Sequence, residues 1–133
     1  ARHPIIVGRE NAREDLVKVM EQGAERLKDG RSIILFPQKT RGTVFNKKNF
    51  NSLGIKLAKK NNVPVVPIAL LTDAWANGKL VKDFGKLDIS KKVRISFGKP
   101  IAISGNGAEQ QVEVINFITS HLKKWGREEL ILE

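Results

Sequence analysis

Short apolar runs alternate with stretches of helical periodicity along this chain, and no other feature narrows the accessible folds as far. Residues 4–7 are the first apolar run, a predicted strand that stops at Gly8-Arg9. Asn11 then stands as a helix N-cap with Glu14 three residues on, the spacing of a capping box, and Leu16, Val19, Met20, Gly23 and Leu27 mark one face of the helix that follows. Asp29-Gly30 ends that helix. The branched apolar content of residues 32–36 predicts a buried strand, halted by Pro37, which has no N–H to give a ladder. A second helix starts at Asn49 or Asn51, turns Leu53, Leu57 and Ala58 inward and Lys56, Lys59 and Lys60 outward, and finishes at Asn61-Asn62. Residues 63–71 are the next strand, with Pro64 and Pro67 demanding irregular pairing or an edge position. A long connection over 72–91 carries a turn at Asn77-Gly78, and residues 92–97 alternate Val93, Ile95 and Phe97 with Lys92, Arg94 and Ser96, as a half-buried strand does. After a linker over 98–107, Ala108, Val112, Ile115, Ile118, Leu122 and Trp125 repeat at helical spacing as far as Gly126, and the tail 127–133 extends the helix or frays.

Strand, helix, strand, helix, strand implies right-handed crossovers, hence an α/β fold with a mostly parallel sheet flanked by helices. In such a sheet the carboxyl ends of neighbouring strands, about 4.8 Å apart, share one edge, and ligands bind there. Arg9 follows the first predicted strand by two residues and Arg41 follows the second by five, so both are expected at that edge, with Lys39, Lys47 and Lys48 nearby. Two guanidiniums meeting there repel each other unless an anion lies between them, and their fork geometry suits a phosphate or carboxylate. The charge pattern bears on the same region. Residues 30–72 contain no Asp or Glu and eight Lys or Arg, so they supply +8 of the formal +10, while the remainder holds 16 basic and 14 acidic groups. A bland alternative has Arg41 in a salt bridge or snorkelling at a loop, but with no acid nearby in sequence its partner must be a distant carboxylate or an external ligand.

Composition excludes several chemistries. A chain of 133 residues, 41% hydrophobic and 29% charged, is expected to form one domain over 1–133, or the C-terminal part of a larger one, rather than a disordered segment. The absence of cysteine excludes disulfides, thiolate nucleophiles and thiolate zinc sites. His3 and His121 lack carboxylate spacings that resemble a metal site. His3 is expected at the surface, and His121 on a helix face near a C-terminus that favours its cation. The apolar run 63–71 is about half the length that spans a bilayer, and two prolines interrupt it. The chain opens at Ala1 with neither Met nor a signal-peptide pattern, which points to processing or to missing upstream sequence.

The motif Phe36-Pro37-x-x-Thr40-Arg41, followed by Phe45 and Phe50, then Val63-Pro64-Val65-Val66-Pro67-Ile68-Ala69-Leu70, and last Val93-x-Ile95-x-Phe97-Gly98-x-Pro100-Ile101, resembles the glycerolipid acyltransferase family that includes 1-acylglycerol-3-phosphate acyltransferases. The resemblance covers residues 5–101 and rests on the ordered set of blocks. It implies a glycerol-3-phosphate acyltransferase-like fold and transfer of a fatty acyl group from coenzyme A or acyl carrier protein to a lysophospholipid hydroxyl. It further implies membrane association on the cytoplasmic side and no metal or redox cofactor. Arg41 falls on the arginine of the family block Phe-Pro-Glu-Gly-Thr-Arg, which helps to hold the acceptor phosphate, and Arg9 matches an upstream arginine with a related task. The implied substrate-binding set is Arg9, Gln38, Lys39, Thr40 and Arg41.

Two departures shape that implication. Gln38-Lys39 replaces the family's Glu-Gly, which removes a negative charge from a phosphate site, adds a cation and points to a different acceptor. The family's catalytic His-x-x-x-x-Asp, in which imidazole takes the acceptor's proton and aspartate orients the ring, is absent: the partner positions of His3 and His121 are Gly8 and Gly126. No catalytic residue is therefore assigned here; the catalytic half is expected upstream, and the isolated chain is expected to bind better than it catalyses. A non-catalytic lipid-binding relative is the alternative, and a nucleic-acid-binding domain a further one. The Lys47-Lys48, Lys59-Lys60 and Lys91-Lys92 pairs permit nucleic acid, but with no Tyr, six Phe and two Trp there is no stacking platform, so none is expected as partner. In the 72–91 connection, Trp75 is expected to cover the core rather than line an acyl path, and Trp125 is expected in the core through its phase with Ile118 and Leu122.

Overall fold

Helix α1 (Ala12–Lys28) begins where the sequence places its cap: Asn11 Oδ1 accepts from the N–H of Arg13 at 3.1 Å and of Glu14 at 3.4 Å, while its amide donates to Glu14 Oε1 at 2.7 Å. Glu14 and Asp15 in the first turn and Arg26 and Lys28 in the last complement the helix dipole. The computed structural model that shows this describes residues 4–8, 10–38, 44–76, 78 and 85–132. Helix α2 (Leu53–Asn61) buries Ile55, Leu57 and Ala58 and closes on Asn62 in the left-handed conformation. Gly23 lets the two helices touch, since a Cβ there would lie 2.9 Å from Leu57 Cδ2.

Strand β1 (Phe45–Asn46) leads into a 3-10 turn at Lys47–Asn49 capped by Asn46, and it pairs in parallel with β4 (Ile131–Leu132) at the far end of the chain. Between them, β2 (Ile68–Leu71) and β3 (Arg94–Phe97) pair antiparallel, from Ile68 opposite Phe97 to Leu71 opposite Arg94. The pairing runs on past both ends. Gly98 donates to the Pro67 carbonyl at 2.8 Å, and Val65 and Ile101 exchange bonds of 2.9 and 2.8 Å, so Val66 faces both Lys99 and Pro100 across a bulge that absorbs the prolines. At the other end Trp75 stands opposite Leu87, flanked by bonds from Asp88 N–H to Ala74 O (2.7 Å) and from Ala76 N–H to Lys86 O (3.1 Å).

Helix α3 (Ala108–Lys124) lies against the face of β2 that carries Ala69 and Leu71. Phe45, Phe50, Ile55, Leu71, Val114 and Leu122 make the core, with Trp125, Leu130 and Ile131 packed against it. Gly107 opens α3 at φ +81°, and a Cβ on it would stand 2.4 Å from Ile55 Cγ2. The buried Gln110 reaches back to Ser104, accepting from its N–H at 3.4 Å and donating to its Oγ at 3.0 Å.

The α/β class holds, with corrections to its parts. In place of a mostly parallel sheet, the described residues form two two-stranded sheets, one parallel and one antiparallel. The connection after β2 has no helix among its described residues, so the chain returns beside β2 as an antiparallel ribbon instead of crossing over to a parallel strand. Residues 4–7 and 32–36 carry no ladder among the described residues. The burial predicted for 32–36 holds on one side only: Ile33 and Leu35 turn towards Gly23 on α1 and Gly54 on α2, while Ile34 and Phe36 are 72% and 74% exposed. The tail neither extends α3 nor frays, because a 3-10 turn at Glu128–Leu130 delivers Ile131 to the core and to β1. Trp75 is 58% exposed and does not cover the core, whereas Trp125 packs where expected. On α3 the buried positions are Gln110, Val114, Thr119 and Leu122, and Val112 faces out.

Candidate anion site

Of the expected binding set, Gln38 lies among the described residues, and Arg9, Lys39, Thr40 and Arg41 lie outside them, as do His3 and Asn77. The segments that flank the set are tied to helix starts. The Gly8 N–H donates to Asp15 Oδ1 at 2.9 Å, which fixes the residue before Arg9 to the first turn of α1. The Pro37 carbonyl accepts from the Asn51 N–H at 3.2 Å, which fixes the residue before the half-buried Gln38 just ahead of α2. Asn51 Oδ1 in turn accepts from the Leu53 N–H at 3.1 Å. The first turn of α2 has no acidic residue, and Ser52 makes no side-chain cap. A helix start with that composition offers positive potential and N–H groups to an anion.

The segment 45–51 that leads into α2 is tied by several contacts. Phe45 and Phe50 meet edge to face at 5.7 Å, and Gln111 of α3 donates to the Phe50 carbonyl at 3.0 Å. Asn46 Oδ1 accepts from the N–H of Lys48 at 2.9 Å and of Asn49 at 3.3 Å, which holds the lysine pair in a tight turn. The structure thus brings Gln38 and Asn51 together through the Pro37 carbonyl, and the order of the sequence puts Lys47 and Lys48 on the same approach to α2. Two shallow depressions of the described surface lie over Arg13 and Val17 on α1 and between Pro67 and Phe117.

A second polar cluster escapes sequence reasoning. Asp73 Oδ2 is hydrogen-bonded by Arg127 Nη1 and stands 3.6 Å from Lys91 Nζ, while Arg127 Nε donates to Glu129 Oε1 at 2.6 Å. Partial burial by itself would raise the Asp73 carboxyl. The hydrogen bond from Arg127 and the charges of Arg127 and Lys91 outweigh it and hold the carboxyl below its ordinary value. The cluster clips the chain after β2 to the turn before β4, and no local spacing could reveal a pair 54 residues apart. His121 sits half-buried, its ring 4.2 Å from that of Phe117 and 5.8 Å from that of Trp125, with Nδ1 at 2.8 Å from the Phe117 carbonyl.

No helix among the described residues is long and apolar enough to cross a membrane. Comparison with protein-family models, curated proteins and solved structures yields no match.

Proposed function

We propose that this chain supplies the phosphate-binding part of a glycerolipid-type O-acyltransferase with a glycerol-3-phosphate acyltransferase-like arrangement. The acceptor hydroxyl oxygen attacks the carbonyl of a thioester on coenzyme A or acyl carrier protein, its proton passes to a base, and the thiol leaves as the ester forms. Arg41 and Arg9 clamp the acceptor phosphate, with Lys39, Thr40 and Gln38 adding donors. The base belongs to a part of the enzyme beyond these residues, and the whole protein meets its lipid acceptor at a membrane on the cytoplasmic side.

The observation that carries the reading is the block Phe36-Pro37-Gln38-Lys39-Thr40-Arg41 set in an acid-free stretch, with the Pro37 carbonyl held by Asn51 at the start of α2. Titration of the full chain with a short-chain lysophosphatidate by calorimetry tests it. Binding is expected, and Arg41→Ala is expected to weaken it roughly tenfold to a hundredfold, the worth of charge-assisted hydrogen bonds. Equal binding by the variant, or steeply salt-dependent binding of unrelated oligonucleotides in its place, sinks the reading.

A further inference from the structure

The antiparallel ribbon formed by residues 65–76 and 86–101 leaves much of its apolar content in solvent. At its outer end the Trp75–Leu87 pair is flanked, not bridged, by the bonds from Ala76 to Lys86 and from Asp88 to Ala74. That is the non-hydrogen-bonded geometry, which brings both side chains together on one side of the ribbon. They are 58% and 53% exposed, and Ile89 at the next turn is 92% exposed. The two described acids of this arm differ: Asp73 is half-buried and Asp88 is exposed. Asp73 is taken by Arg127 and Lys91, and Asp88 Oδ1 accepts from Ser90 N–H at 3.0 Å and Ser90 Oγ at 2.5 Å. Lys86 and Lys92 are exposed at either side of the apolar cluster.

We propose that this arm docks the protein on an anionic lipid surface, with Trp75, Leu87 and Ile89 entering the headgroup and acyl boundary and Lys86 and Lys92 meeting phosphates. The charge pattern selects this occupant. A tryptophan and two aliphatic side chains between exposed lysines, with Asp73 paired to Arg127 and Lys91 and a formal charge of +10 on the chain, match an apolar layer under a negative one. The proposal stands on residues outside the anion site and does not depend on acyl transfer, so each can fail alone.

Sedimentation of the full chain with vesicles of phosphatidylcholine, with and without phosphatidylglycerol, tests the docking. Binding is expected on the anionic vesicles, weakening with salt. Lys86→Gln and Lys92→Gln are each expected to reduce it roughly fivefold. Ile89→Ser, at a position too exposed to disturb folding, is expected to reduce it roughly tenfold with the circular dichroism spectrum unchanged. In a Trp125→Phe background, Trp75 emission is expected to shift to the blue on the same vesicles. Absence of vesicle binding, undiminished binding by Ile89→Ser, or a dimer in sedimentation that Ile89→Ser dissociates would overturn the proposal, the last by giving the surface to a second copy of the chain.

Discussion

Gly107 carries two constraints at one atom: its φ of +81° is a left-handed conformation, and its α-carbon faces Ile55 at a separation that leaves no room for a methyl group. Gly107→Ala is therefore expected to cost about 3 kcal/mol, about half from backbone conformation and half from displacing Ile55, measured as a shift in the urea midpoint. The Asp73 cluster gives the second prediction at this scale. Because the folded carboxyl titrates below its unfolded value, its stabilisation is in full force above the unfolded pKa and disappears as pH falls through the folded one. Acid titration of stability is expected to be steeper for the native chain than for Asp73→Asn below about pH 4, and Arg127→Met is expected to cost about 1–3 kcal/mol at neutral pH. Identical acid slopes for native and Asp73→Asn chains would show that the pair carries no linkage. Neither feature could be foreseen from sequence. Gly107 sits in a linker where any glycine looks like punctuation, and Asp73 finds its arginine 54 residues away, whereas the Asn11–Glu14 cap was legible because both partners lie within one turn.

At the scale of elements, local order decides what a sequence discloses. The extents of α1 and α2 followed from caps and periodicity, and the prolines at 64 and 67 foretold the irregular pairing that appears as a bulge opposite Lys99 and Pro100. The direction of pairing did not follow, since the alternation of Val93, Ile95 and Phe97 fits a parallel or an antiparallel neighbour equally well. On α3 the expected positions Ile115, Ile118, Leu122 and Trp125 do meet the core, while Val112 faces out; Gln110 and Thr119 are buried despite their polarity because they bond to Ser104 and to the Asn116 carbonyl. Truncation distinguishes the two faces. Val114→Ala is expected to cost about 1–3 kcal/mol and Val112→Ala less than about 0.5 kcal/mol by thermal or urea unfolding, with similar costs pointing back to the face read from sequence.

In the molecule as a whole, the C-terminal segment closes back on β1 while the described segments before β1 hang on fewer supports. β1 and β4 pair, Arg127 reaches Asp73, and α3 seals the core against β2, so β1, β2, α3 and β4 are held by contacts distant in sequence. By contrast α1 buries little besides Val19 and Gly23, and residues 32–36 rest on α1 and α2 through Ile33 and Leu35 with no ladder among the described residues. The expected binding block lies between these regions in sequence, and its motif was legible as order along the chain. Ahead of Arg9 the Gly8 N–H is bonded to Asp15, and within the block the Pro37 carbonyl is bonded to Asn51. Local opening energy follows buried contacts and protected backbone bonds, so native-state hydrogen exchange should divide along this line. Amides of residues 32–36 are expected to exchange fastest, those of α1 at an intermediate free energy, and those of α3 and β2 only through global unfolding. Leu57, 2% exposed and pressed against Gly23, is the hinge of the division. Leu57→Ala is expected to cost about 2–4 kcal/mol and to lower protection in α1 more than in α3. Equal loss in both helices would show that the chain opens as one cooperative unit, with α1 as firmly held as the core.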